Sequence, residues 1–96
     1  MLYSTSPALY ETVRAQLIDA IGESGYFSGS LSFDFDGLVC TLRCSLIVSR
    51  RDERLPEGCF RCIADLIPVW WEFHTVDAEG RELLNDFSFD GVRQRF

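Results

Sequence analysis

Asp36-Gly37 sits between two runs in which apolar and polar residues alternate, the strongest short-range signal for a β-hairpin that a sequence offers. A two-residue turn there sets Phe35 against Leu38, Phe33 against Cys40, Leu31 against Leu42, Gly29 against Cys44 and Phe27 against Leu46. Each of these pairs is apolar or glycine. The pairs between them are Asp34 with Val39, Ser32 with Thr41, Ser30 with Arg43 and Ser28 with Ser45, as expected of a solvated face. A slip of one residue would turn the polar set inward, so Phe27 to Val48 has a well-specified register.

The elements around this hairpin follow in order. Met1 to Thr5 reads as a loose lead-in. Ser6-Pro7 supplies an N-cap serine and a first-turn proline, and Leu9, Tyr10, Val13, Leu17, Ala20 and Ile21 recur at helical spacing, predicting a helix to about Ile21. Gly22 or Gly25 ends it. The second strand is expected to stop near Ser49. The charged, proline- and glycine-bearing stretch from Arg50 to Gly58 then reads as an exposed loop.

Phe60 to Thr75 predicts a long third strand with Phe60, Cys62, Ala64, Leu66 and Trp70 on the helix-covered side, which also brings Arg43 near Asp65 on the other. Pro68 interrupts it, because proline cannot donate a ladder hydrogen bond, and a bend is expected there. The strand would pair with the second strand before Pro68 and with the fourth after it. Asp77 to Gly80 makes a turn, and Glu82 to Phe89 returns as a fourth strand with Leu83, Phe87 and Phe89 on one face; a helix over Glu79 to Asp86 competes with it. Asp90-Gly91 starts a last helical turn or a loose tail.

The expected architecture is therefore α+β: one domain over residues 1–96 in which an N-terminal helix packs on a four-stranded antiparallel meander. The helix-covered face would carry Leu31, Phe33, Leu42, Leu46, Leu66 and Trp70.

Charge and cysteine usage bound the function. With 15 acidic and nine basic residues the chain carries a formal charge of −6, opposite to what phosphate neutralisation requires, so no nucleic-acid partner is expected. No apolar run reaches the ~20 residues of a membrane span and no secretory signal is visible; the expectation is a cytosolic chain with no membrane partner. Cys40, Cys44, Cys59 and Cys62 have the look of a four-thiolate zinc set. Residues four apart on one strand lie ~13 Å from each other, however, too far for two thiolates to share a metal. Packing of small apolar thiols is the expectation, with no metal and no cofactor.

No spacing of serine, histidine and acid suggests catalysis, and no catalytic residue is assigned. The only histidine, His74, shares a strand face with Glu72. Together with Arg50, Arg51 and Arg54 they outline one candidate ligand-binding or hydrolytic site at the end of the sheet. The feature a plain structural account explains least well is the odd-numbered face of the third strand, Ile63, Ile67, Val69, Trp71 and Phe73, extended by Val39 and Ile47. One helix cannot cover both faces of a sheet. That face is expected to bind a second copy of the chain or another protein, unless the tail bearing Val92 and Phe96 folds back over it.

Arg54-Leu55-Pro56-Glu57-Gly58, Val69-Trp70-Trp71-Glu72-Phe73 and Glu82-Leu83-Leu84-Asn85-Asp86-Phe87 together resemble small proteins of unassigned function encoded in Bacteroidetes genomes and their mobile elements. The resemblance covers the second half of the chain. It implies a bacterial cytosolic setting and a role accessory to mobile-element biology, and it carries no site residues.

Overall fold

The computed structural model describes residues 2–96; Met1, the start of the expected lead-in, lies outside them. Ser6 caps the first helix, its Oγ accepting from the Leu9 N–H at 3.2 Å, with Pro7 in the first turn. The elements are strand β1 (Leu2–Tyr3), helix α1 (Pro7–Ile21), strands β2 (Tyr26–Phe35), β3 (Leu38–Leu55), β4 (Gly58–Val76) and β5 (Glu82–Asn85), and helix α2 (Phe89–Arg93).

The strands form one sheet in the order β1-β5-β4-β3-β2. From β2 to β5 it is the antiparallel meander the sequence predicts, but β1 adds parallel to β5, with Leu2 opposite Leu84. The expected four-stranded antiparallel sheet is thus a mixed sheet of five. The β2–β3 register matches the predicted pairs one for one, and positive φ at Asp36 (53°) and Gly37 (75°) gives the mirror-image turn that suits a twisted hairpin.

Three expectations are corrected along β3 and β4. Arg50 to Gly58 is not a loop, because the two strands stay paired out to Leu55 and Gly58 as a two-stranded arm turning at Pro56-Glu57. Its residues 51–61 are all exposed, and a ribbon wet on both sides shows no alternation to read. The fourth strand stops at Asn85, since Phe87 leaves the sheet and Phe89 belongs to α2. β4 also pairs with β3 along its whole length and meets β5 only at Thr75 and Val76.

The bend expected at Pro68 is a β-bulge. Ser45 faces Trp70 and Leu46 faces Pro68, leaving Val69 without a partner; a second shift leaves out Ala64, between Ser49–Asp65 and Arg50–Ile63. Proline brings no N–H to the ladder, and one additional residue in the bulged strand accommodates the gap. Each bulge reverses which residues of β4 point inward.

The core lies between the inner sheet face and the helices. α1 contributes Leu9, Val13, Leu17 and Ile21, while Ala20 is exposed. β3 contributes every even residue from Cys40 to Val48, β4 Leu66 and Phe73, and the C-terminal segment Phe87, Phe89 and Val92. Leu31 and Phe33 of β2, the edge strand of the sheet, are only half-buried.

Candidate functional site

The bulge at Val69 decides what the outer face displays. Beyond it β4 points Phe73 and Thr75 inward, so Trp71 and Phe73 do not lie on the outer face as the sequence suggests. Phe73 stacks on Phe87 at 4.0 Å between ring centroids, and Trp71 meets Phe87 edge-on at 5.5 Å and Phe89 at 6.4 Å. Ile63, paired with Arg50, packs against the core from the same inner side. The predicted seven-residue patch is split: Val39, Ile47 and Ile67 face outward, Val69 stands exposed at the bulge, and Ile63, Trp71 and Phe73 face in.

Trp70, expected under the helix, takes the outer position instead. Tyr26, Ile47 and Ile67 form one row across β2, β3 and β4, Trp70 stands opposite Ser45 in the next row, and Val69 lies between the two rows on β4. All five are exposed, Ile47 at 48%, Trp70 at 46% and Val69 at 62%. The C-terminal segment does not reach them: Val92 is buried in the core and Phe96 packs on the helix side beneath the Arg14 guanidinium, 5.1 Å from its ring centroid.

Beside this patch the same face carries a chain of charges. Arg43 Nη1 lies 3.0 Å from Glu72 Oε1, Glu72 Oε2 lies 3.6 Å from His74 Nε2, and His74 Nδ1 lies 2.8 Å from Glu82 Oε1. His74 and Glu72 are therefore neighbours, as expected, and Arg43 and Glu82 complete the set. Leu84 and Leu2, both exposed, continue the row past His74. Exposed pairs of this kind fix side-chain geometry more than they stabilise the fold.

The arginines assigned to the same ligand site lie elsewhere. Arg50 donates to the Gly22 and Ser24 carbonyls at 2.8 and 2.9 Å, tying β3 to the end of α1. Arg51 and Arg54 are on the arm, eight or more residues along β3 from Arg43, about 26 Å at ~3.3 Å per residue. The single candidate site uniting His74 and Glu72 with Arg50, Arg51 and Arg54 is not formed. Nor does Arg43 meet Asp65, because Asp65 takes two hydrogen bonds from Arg93 of α2, at 3.0 and 2.7 Å.

Cys40 and Cys44 lie in the core, and Cys59 and Cys62 on the arm, where the Cys62 thiol donates to Glu53 Oε2 at 3.3 Å. Among the described residues no group of three or more His, Cys, Asp or Glu side chains is arranged to hold a metal. No helix among the described residues is long and apolar enough to cross a membrane. Of the outer-face residues, Arg43 stands where the hairpin pairs put it, Tyr26 and Glu82 open strands and carry no sequence assignment, and sequence reasoning misplaces Trp70 because β4's parity changes. The one hint of it was Pro68. No family model, curated protein or solved structure matches this chain.

Proposed function

We propose that this chain is a small non-enzymatic interaction module that docks a protein through the outer face of its sheet, in the bacterial cytosolic setting its resemblance implies. The observation that carries the proposal is the cluster of Tyr26, Ile47, Ile67, Val69 and Trp70, five large apolar side chains from three adjacent strands that no part of the described chain covers. Scattered apolar residues are ordinary on a surface. A contiguous aromatic and aliphatic group on a rigid sheet, bordered by charged and hydroxyl side chains, has the anatomy of an interface centre with its polar rim. The Arg43–Glu72–His74–Glu82 chain supplies that rim on one side and fixes the orientation of an incoming surface.

The test compares folded variants. Trp70→Asp and Ile47→Asp should each abolish co-purification of the docked protein, while Leu55→Asp, at the arm tip, leaves it unchanged. Equal recovery of bound protein by all four chains, with unaltered circular dichroism, would overturn the reading.

A further inference from the structure

The two edges of the sheet are unlike. One is β1, two residues long; the other is β2, ten residues with no lysine, no proline and no bulge, the devices that normally blunt an exposed edge. The two-residue turn makes Phe35–Leu38 a hydrogen-bonded pair, and so in alternation Phe33–Cys40, Leu31–Leu42, Gly29–Cys44 and Phe27–Leu46. The backbone N–H and C=O groups of Tyr26, Ser28, Ser30, Ser32 and Asp34 therefore point away from β3. No backbone partner takes them among the described residues.

This edge is complementary to itself. We infer that β2 pairs antiparallel with β2 of a second copy about a two-fold axis at Ser30, joining two sheets into one continuous sheet. In that register Ser30 faces its own equivalent, Ser28 faces Ser32 and Tyr26 faces Asp34, so all five outward-facing residues of each copy are hydrogen-bonded at once. Shifting the axis by a residue leaves at least one of them unpaired. Charge agrees with the same register. Asp34 is the only charged side chain of β2, and it meets a tyrosine rather than the other Asp34.

The inner face agrees as well. Phe27 comes opposite Phe33 and Leu31 opposite Gly29, which is exposed and has the Phe27 ring 3.4 Å from where a Cβ would stand. Phe27, Leu31, Phe33 and Phe35 are half-buried on the inner side of this edge strand, and a second copy completes their cover. The pairing shares Tyr26 with the docking cluster but uses neither Trp70 nor Ile47, so variants at those two residues separate it from the docking proposal.

Sedimentation of the wild-type chain from micromolar to submillimolar concentration should show a monomer–dimer equilibrium. Ser30→Lys, which sets two ammonium groups at the axis on a face that is already solvated, should raise the dissociation constant by about tenfold or more. Trp70→Asp should leave it unchanged. In a Cys59→Ser/Cys62→Ser background, Ser30→Cys should cross-link rapidly on mild oxidation, since an axial hydrogen-bonded pair has Cα atoms about 5.5 Å apart, within disulfide reach. Ser28→Cys should not, its equivalents being ~13 Å apart in this register. A wild-type chain that stays monomeric, a dimer that Ser30→Lys leaves intact or Trp70→Asp dissolves, or equal cross-linking at positions 28 and 30 would each overturn the pairing.

Discussion

Burial pushes the Cys44 thiol up to about 11 and raises that of Cys40. Cys59 stands exposed on the arm, and the hydrogen bond to Glu53 raises Cys62. A disulfide reagent must reach the thiol, so at mildly alkaline pH it should modify the arm thiols Cys59 and Cys62 early, with Cys40 and Cys44 reacting only when the fold opens. Counting released thiol with and without denaturant checks the order; fast reaction of all four would contradict the packing. Three carboxylates bear on acid stability. Asp65 is held below the ordinary aspartate value by the Arg93 hydrogen bonds, Asp77 by the Arg81 N–H and Asp86 by the Thr5 N–H. In each the unfolded chain takes up its proton more readily than the folded one. Their contribution is complete above about pH 4 and is lost as pH falls through the depressed folded values. Melting temperature should hold level from neutral pH down to that point and then drop, and Asp86→Asn, which loosens Thr5 from β5, should shrink the drop. The effect is modest because all three groups touch solvent.

α2 is held against α1 by a close approach at Gly91. A Cβ there would stand 2.5 to 2.9 Å from three atoms of the Tyr10 ring. That ring cannot swing aside freely: its hydroxyl receives hydrogen bonds from Thr5 Oγ1 and the Ser88 N–H, and its face stacks on Phe87. Gly91→Ala should therefore cost about 1–3 kcal/mol, read as a lowered denaturant midpoint. At the other end of the fold Gly37→Ala should cost on the order of 1 kcal/mol, for the different reason that φ is 75° there. That turn, the β2–β3 pairs and the bounds of α1 were legible because each rests on local chemistry: an Asp-Gly pair, strict alternation, a capped helical stripe. β4's faces were not. Alternation fixes a face only while the count of residues is unbroken, and Val69 and Ala64 each break it, so Trp70 and Trp71 were exchanged and Ile63 misplaced. Nor could a two-residue parallel strand such as β1 be read from Leu2-Tyr3, since its partner is 82 residues away in sequence. The candidate site shared this fate: His74 beside Glu72 needed only one strand, whereas the arginines needed β3 to end near Ser49, and it runs on to Leu55 and carries Arg51 and Arg54 out along the arm.

The molecule measures 50 × 25 × 18 Å, elongated because the β3–β4 arm runs on past the helices. Arm residues 51–61 bury no side chain, so their amides should exchange orders of magnitude faster than those of Cys40 to Val48 under native conditions, which hydrogen exchange followed by mass spectrometry reads directly. Slow exchange there in a dilute sample would mean the arm is covered. The unpaired Val69 has a consequence of another order. Removing it would leave a regular ladder, with Pro68 still opposite Leu46, Trp70 opposite Ser45 and Trp71 opposite Cys44, so each ring would keep its face and only the local kink would go. A shortened β4 should thus be tolerated where the lost residue has no partner across the ladder, and not where its neighbours would have to slip past β3 to close the gap.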